Sequence, residues 1–457
     1  MPLDDPVRRH AHERPDALAV RSSQRELTYA ELDAAADRIA RRLAAAGVVP
    51  GDRVATTLAP GTDFAALLHA TPRLAAALVP LSPRLTAGER EAALAGSAPR
   101  LLVDEPLAGP EADVQDPAAA LPPEGAHTIL FTSGTTAAPK PVTLTYANHL
   151  ASARASAANL GVEPDDRWLC ALPVHHVGGL AILLRSAIYG TAAVVHERFD
   201  ADAVTASLES GEATLVSLVA TQLRRLVTAG FQSAPALRAA LLGGGPVPHE
   251  LLGWAAQRGL PVLQTYGMTE TASQIATLPA GEALEAGRRG SAGQALEGVE
   301  LRIAPGDGEI LVRGPMVSRA ALAADGWLHT GDRGALDADG YLWVEGRLDG
   351  VILTGGENVA AAEVEDALTA HPAVGEAAVV GHPDPHWGQA VTAYVVLEAG
   401  AEPASDAELI GHCRERLARF KVPKRIQRLP GLPRTESGKV ARERLPAEGD
   451  RESERVG

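Results

Sequence analysis

The sequence predicts an α/β fold of layered helices and mostly parallel sheets. Two observations carry this expectation. Helix and strand patterns alternate from about residue 28 to residue 265, which is the signature of βα units feeding parallel strands. A chain of 457 residues also exceeds what one hydrophobic core holds, so two or more domains are expected. Thr28-Tyr29-Ala30-Glu31 reads as a capping box, followed by Leu32, Ala35, Ala36, Ile39 and Leu43 at helical spacing, and Gly47 ends that helix. Arg53 to Leu58 reads as a strand, and the Pro-, Ala- and acid-rich stretch from Val103 to Gly125 as a surface connection. Strands are expected at Trp168–Leu172, Ala213–Val219 and Pro261–Gln264, with an apolar helix at Gly179–Tyr189. From Val299 to Val344 the pattern shortens to strands and turns, which predicts a β-rich subdomain closing a large N-terminal domain, 1–348. A small α+β C-terminal domain, 349–457, follows. Its expected pieces are a helix at Ala362–Ala370, strands at Glu376–Gly381 and Ala390–Leu397, and a helix opened by the capping box Ser405-Asp406-Ala407-Glu408. The charged tail after Leu445 is expected to be disordered.

Composition narrows the function. Apolar residues make up 46% of the chain and charged residues 22%, as in a folded globular protein. The net charge of −15 argues against a nucleic-acid binder and against attachment to an anionic membrane surface. The two cysteines, Cys170 and Cys413, are too few for a disulfide scaffold or a cysteine-based zinc site, and Cys170 in its apolar run reads as a core residue. The first fifteen residues lack the apolar segment of a signal peptide, and no run of eighteen apolar residues occurs. The expected location is therefore the cytoplasm, without membrane insertion.

Chemistry concentrates first at Phe131-Thr132-Ser133-Gly134-Thr135-Thr136-Ala137-Ala138-Pro139-Lys140. Hydroxyls and backbone N–H groups on a tight turn form a concave donor surface, and a lysine adds positive charge, which suits a polyphosphate. The Walker spacing is absent, and alone the stretch is equally compatible with an ordinary polar surface loop. Six further clusters follow: Gly243-Gly244-Gly245-Pro246, Tyr266 to Thr271, Thr330-Gly331-Asp332, Gly346-Arg347-Leu348-Asp349, Gly355-Gly356-Glu357-Asn358, and Pro433 to Lys439. Singly, each has an ordinary reading as a loop, a turn cap or a solvated charge. In this order they resemble the adenylate-forming superfamily of acyl-CoA synthetases, luciferases and peptide-synthetase adenylation domains, over nearly the whole chain.

That resemblance implies ATP, Mg²⁺ and coenzyme A as ligands, and a role for each cluster. Thr132, Ser133, Gly134, Thr135, Thr136 and Lys140 would hold the terminal phosphates, with Gly134 permitting the tight loop. Glu270 would ligate Mg²⁺, and Thr269 would bond the α-phosphate. Tyr266 would stack on adenine, with Gly243, Gly244 and Gly245 allowing close backbone approach. Asp332 and Arg347 would reach the ribose. Lys439 would bridge the attacking carboxylate and the α-phosphate as charge builds. Asp349 would be the pivot on which a mobile C-terminal domain turns between steps, bringing Gly356 against the pantetheine arm. The chain departs from the family where Ala137 and Pro141 stand in place of glycines, which predicts a stiffer loop, and where Gly350 replaces an acid.

Leu172 to Gly190, Ser217 to Leu223 and Thr269 to Ile275 resemble more narrowly the o-succinylbenzoate–CoA ligases of menaquinone synthesis. That substrate carries two carboxylates, one activated and one only bound, so an extra cation in the pocket would serve it and not a fatty acid. The resemblance assigns that cation to Arg185; the alternative is a surface arginine snorkelling from its helix. Ser217 is a pocket hydroxyl or a satisfied core serine. His176 resembles the family's pocket histidine, His175 stands where an aromatic is usual, and Thr271 lines the acyl pocket or merely extends its loop. The competing readings are another aryl- or fatty-acyl-CoA ligase, an adenylation enzyme loading a carrier protein, and an inactive nucleotide-binding module. A homodimer is left open.

Overall fold

The computed structural model describes every residue except 1–2, Thr86, 114–119, 133–139, Pro246, 349–350, 355–356, 385–386, Pro403, Ala418, 436–437 and 447–457. The charged tail beyond Pro446 thus lies outside the described residues. Two units are distinguished: 1–244 with 254–301 and 312–328, and 245–253 with 302–311 and 329–457.

The first unit contains two large sheets and a two-stranded pair, Leu3–Asp4 with Ala120–Leu121. In the larger, Val262–Met268, Ala239–Leu242, Leu215–Leu218, Arg167–Cys170, Ala192–Val195 and Leu18–Ser22 run parallel in that order. Ser273–Thr277 and Gln294–Ala295 extend one edge antiparallel, and Glu26–Thr28 closes the other. In the second sheet Leu101–Val103, Arg53–Thr56, Ala77–Pro80 and Ala126–Thr132 are parallel, and Lys140–Thr145 is an antiparallel edge. Strands buried on both faces read as apolar runs, as Leu215–Leu218 and Ala239–Leu242 do. The expected strands near 53, 168, 213 and 261 are all present, each within a few residues of its expected bounds.

Local signals act as expected. The helix Tyr29–Ala45 opens on Thr28, whose hydroxyl accepts from Glu31 N–H while the Glu31 carboxylate accepts from Thr28 N–H, both donors otherwise orphaned at a helix start. Gly47, at φ +85°, takes the left-handed position that ends it. The helix Val177–Tyr189 begins two residues before its expected start. Gly179 is required there, because a Cβ would lie 2.4 Å from the Pro173 carbonyl oxygen. Cys170 is fully buried, as expected of a core residue.

Two charges of this unit, Arg73 and Asp166, are neutralised locally. Arg73, 2% exposed, donates to Asp5 (2.8 Å), Asp33 (2.5 Å) and Asp37 (2.5 Å), which ties the helices Pro6–Glu13 and Tyr29–Ala45 to the turn Thr71–Leu74. Asp166 takes two donors from Arg238.

The second unit holds the five-stranded sheet Glu357–Ala360, Val351–Thr354, Gly388–Leu397, Val374–Asp384 and Arg425–Arg428. The helices Ala361–Thr369 and Asp406–Arg416 pack on its core of Val364, Leu368, Val379, Val391 and Leu409. The capping box at Ser405 forms as the sequence predicts. The strands run longer than expected, because Val374–Asp384 and Gly388–Leu397 pair as one hairpin through residues whose alternation alone does not mark them. Among the described residues no helix is long and apolar enough to cross a membrane.

Four histidines, His10, His69, His127 and His149, are buried in the first unit, the last three most deeply. Burial pushes the pKa of His69 down to about 4 and of His149 to about 3, and lowers His127 well below its usual value. His149 Nε2 lies 2.8 Å from Thr128 Oγ1. These rings fold neutral, so their contribution is complete above the unfolded pKa near 6.5 and is lost as pH falls toward 4 and 3. Between pH 6.5 and pH 5 His69 and His149 should each cost about 1.6 kcal/mol of unfolding free energy. Urea titrations at a series of pH values check this, and His149→Gln, which keeps a polar partner for Thr128 but takes no proton, should make the decline shallower.

Candidate active site

The phosphate-loop residues Ser133, Gly134, Thr135 and Thr136 lie outside the described residues, as does Ala137. Their flanks are described. Thr132 pairs with Lys140 across an antiparallel ladder, and Phe131 pairs with Pro141. Pro141 therefore sits in an edge strand, where a missing donor is tolerated, and not within the loop.

The segment 266–273 links the last parallel strand to its antiparallel neighbour. The register slips between Tyr266 and Gly267. Thr269–Thr271 makes one turn of 3-10 helix, and Ala272 and Ser273 then adopt φ of +49° and +102°. Positive φ at two successive non-glycine residues is strained, by roughly 1–3 kcal/mol each, and such strain collects where side chains must be aimed. Thr271 is fully buried, and its hydroxyl donates to the Met268 and Ser273 carbonyls at 2.9 and 2.8 Å, so that hydroxyl holds the turn together. The turn leaves Thr269 and Glu270 half-buried. The Glu270 backbone carbonyl accepts from Ser318 N–H at 2.7 Å, while its carboxylate has no partner among the described residues. No described group of three His, Cys, Asp or Glu could hold a metal by itself. A single free carboxylate nevertheless fits Mg²⁺, which takes one or two protein oxygens and completes its shell with phosphate and water. Gly243 packs against Thr265, where a Cβ would meet Cγ2 at 2.8 Å, and Gly244 has φ +81°.

Arg185 is the least ordinary residue of this unit. It is 3% exposed, so it is not a snorkelling surface arginine. Nη1 donates to Gln274 Oε1 at 2.5 Å and Nη2 to Ser152 Oγ at 2.9 Å, while Nε is buried without a partner. Among the described residues no carboxylate pairs with it, and burial lowers its pKa. Its guanidinium lies 5.8 Å from the Trp168 ring, and Trp168 Nε1 donates to Ser217 Oγ at 3.1 Å. The residues expected to bind a second carboxylate, Arg185 and Ser217, are thus joined through Trp168. The rings of His175 and His176 lie 4.5 Å apart, tilted at 53°, immediately before the helix that carries Arg185. Burial and the His176 ring push His175 down to about 3.

Sequence reasoning assigned no role to Gln274, Ser152 or Trp168. A signal was present for the serine. Asn148, Ser152, Ser156 and Asn159 recur at helical spacing on Tyr146–Leu160, and all four side chains bond inward: Asn148 to the Pro315 and Val317 carbonyls, Ser152 to Ala272 O, Ser156 to Gln274 and Asn159 to Leu278 O.

The second unit carries its own cluster. Asp332 and Arg347 face each other across an antiparallel pair, with Nη1 to Oδ1 at 3.4 Å. Arg347 also donates to the Thr330 carbonyl, and Thr330 Oγ1 accepts from Asp332 N–H. Glu309 accepts from Gly331 N–H at 2.8 Å and lies 2.7 Å from His329 Nδ1. The two residues expected to reach a ribose are therefore neighbours. Gly245 belongs to this unit and is exposed. Lys439 is exposed on a turn closed by Thr435 N–H to Lys439 O at 2.7 Å. Asp349 and Gly356 lie outside the described residues.

Residues 7–320 match the family model of AMP-binding enzymes, and residues 363–439 match that of the AMP-binding enzyme C-terminal domain. The chain belongs to the AMP-binding enzyme family. It is 40% identical to the 2-succinylbenzoate–CoA ligase of Bacillus licheniformis, covering 97% of this chain and 100% of that one. It is 42% identical to the ligase of the same name from Geobacillus kaustophilus, covering 94% and 95%. Among solved structures it is similar to o-succinylbenzoate CoA synthetase of Bacillus subtilis in complex with the acyl-adenylate intermediate, with a TM-score of 0.90, 37% identity, and coverage of 98% of this chain and 99% of that one. It is also similar to the same synthetase in complex with ATP and magnesium ion, with a TM-score of 0.89, 36% identity, and coverage of 97% and 100%.

In this AMP-binding enzyme the 266–273 turn offers a direct test. A Cβ on Gly267 would lie 1.8 Å from the Ser273 carbonyl oxygen. Gly267→Ala should therefore destabilise the protein by about 1–3 kcal/mol in urea titration and displace Glu270, lowering adenylation beyond what the stability loss explains.

Proposed function

We infer that this chain is an o-succinylbenzoate–CoA ligase. The observation that carries the reading is the buried, acid-free guanidinium of Arg185, set in a chain that matches ligases of this name along almost its whole length. In the first step an oxygen of the aliphatic carboxylate attacks the α-phosphorus of ATP, and pyrophosphate leaves with the electrons of the broken P–O bond. In the second a coenzyme A thiolate attacks the acyl carbon and AMP leaves. Neither step needs a protein nucleophile; the protein positions the reactants and stabilises charge.

The residue roles rest on chemistry and on the family pattern. Glu270 ligates Mg²⁺, which supplies charge neutralisation at the phosphate oxygens, and Thr269 donates to the α-phosphate. Thr132 to Thr136 and Lys140 hold the terminal phosphates. Tyr266 and Gly243, Gly244 and Gly245 accommodate adenine, and the Asp332–Arg347 pair takes the ribose hydroxyls. His176, Ser217 and Thr271 line the acyl pocket, where Arg185 supplies the field for the carboxylate that does not react. Lys439 supplies the cation of the adenylation step. The boundary of a mobile C-terminal domain, 349–457, falls at Asp349, whose rotation brings Gly356 to the thiol step. The protein acts in the cytoplasm in menaquinone synthesis; a homodimer would leave this chemistry unchanged.

A substrate panel tests the assignment: each acid is incubated with ATP, Mg²⁺ and coenzyme A, and AMP formation is followed. The o-succinylbenzoate rate should exceed those with benzoate and a long-chain fatty acid; a faster mono-acid refutes the assignment. Lys439→Ala should lower adenylation by about 10²–10³-fold yet leave thioester formation from supplied acyl-adenylate within a few-fold. Equal loss of both steps contradicts the role. Arg185→Ala should impair o-succinylbenzoate far more than a mono-acid, whereas a uniform decrease would indicate packing.

A further inference from the structure

Two buried arginines in this unit are treated in opposite ways. Arg73 is surrounded by Asp5, Asp33 and Asp37, each within 2.8 Å. Arg185, equally buried, meets among the described residues only neutral acceptors: the side-chain amide of Gln274 and the hydroxyl of Ser152. The fold can evidently supply carboxylates to a buried guanidinium, and at Arg185 it does not. An unneutralised interior cation is costly, and a site that keeps one gains only if an anion arrives.

The acceptors are themselves held in place. Gln274 Nε2 donates to Thr265 Oγ1 at 3.2 Å and Thr277 Oγ1 at 3.0 Å, which fixes the amide's orientation and turns its oxygen toward Arg185. That oxygen also accepts from Ser156 Oγ at 3.0 Å. Ser152 Oγ donates onward to the Ala272 carbonyl at 2.8 Å, so its lone pairs remain for Nη2. Every group around the guanidinium is thus oriented as an acceptor, and none carries charge. Nε, buried and unpartnered, is left for an acceptor from outside the described residues.

We propose that Gln274, assisted by Ser152, is a specificity-determining positioning residue: it fixes the Arg185 guanidinium without cancelling its charge, and so reserves that charge for the second carboxylate of a dicarboxylic substrate. This rests on the ligase reading above and extends it from the cation to the residues that keep it unpaired. Glutamate at position 274 has the same size and the same acceptor toward Nη1, so it would neutralise the cation internally and remove the reason to prefer a dianion.

The test compares o-succinylbenzoate with the same keto acid lacking its ring carboxylate, on wild-type protein, Gln274→Glu and Ser152→Asp. On the wild type, kcat/KM should favour the dicarboxylate by about tenfold or more. Gln274→Glu should raise KM for the dicarboxylate by about tenfold, change KM for the mono-acid by less than about twofold, and leave kcat for both within about twofold. Its thermal midpoint in the absence of ligand should stay near that of the wild type, because the new ion pair offsets the loss of the donations from Nε2 to Thr265 and Thr277. Ser152→Asp, which places a carboxylate against Nη2, should reproduce the selective loss if Gln274→Glu does not fold. The proposal is overturned if KM rises in parallel for both acids, if the dicarboxylate KM holds in a folded variant, or if the wild type uses both acids equally well. A wild type that activates neither acid but activates another carboxylate defeats the ligase assignment itself, a result distinguishable from the others.

Discussion

A positive charge in the interior, bonded among the described residues only to neutral groups, organises the part of the protein around Arg185. Arg185 cannot shed its proton at ordinary pH, and taking a guanidinium out of water without a counter-ion costs several kcal/mol. The surrounding architecture concentrates on making that position tolerable. The helix Val177–Tyr189 carries the arginine, the helix Tyr146–Leu160 brings Ser152 and Ser156, and the strand Ser273–Thr277 brings Gln274. Three elements distant in sequence meet at one guanidinium, and their mutual hydrogen bonds leave little freedom to slide. Trp168, on a central strand, contributes its ring face and passes the connection to Ser217.

The same antiparallel strand ties the acyl side to the phosphate side. Gln274 lies four residues beyond Glu270, and between them Ala272 and Ser273 take the positive φ values that reverse the chain. Ser152 holds the Ala272 carbonyl while it accepts from Arg185. A shift of the guanidinium would therefore be felt at the strained turn that aims the Glu270 carboxylate. Under the roles proposed above for Arg185 and Glu270, recognition of a second carboxylate and placement of the metal ligand would be linked through the backbone of residues 270–274.

Much of the fold was legible in the chain because its signals are local. The capping boxes at Thr28 and Ser405 act through hydrogen bonds within four residues, so their sequence pattern survives unchanged in the structure. Apolar runs such as Leu215–Leu218 announce strands covered on both faces. What was not legible is non-local. Nothing in the helical pattern of residues 177–189 distinguishes a snorkelling arginine from one folded inward, because the difference lies in Gln274 and Ser152, 89 and 33 positions away. Thr271 reads as a pocket hydroxyl or a loop residue until its bonds to the Met268 and Ser273 carbonyls are seen. Pro141 reads as a loop defect until its pairing with Phe131 places it in an edge strand. A single motif residue names a chemistry; which face of the backbone it occupies is decided by partners the motif does not contain.

The turn that carries Lys439 is held by its own unit and not by a flexible arm. Arg434 donates to the Gly438 carbonyl at 2.7 Å and to Glu376 Oε1 at 2.6 Å, so the turn that presents the lysine is fastened to the strand Val374–Asp384. Gly438, at φ +82°, donates its N–H to the Thr435 carbonyl at 2.9 Å, while Thr435 N–H donates to the Lys439 carbonyl at 2.7 Å, and the two bonds close that turn. The backbone that carries Lys439 is therefore fixed to the sheet and only its side chain is left to move; under the role proposed for this lysine, its placement would be set by the unit that carries it and not by a free loop.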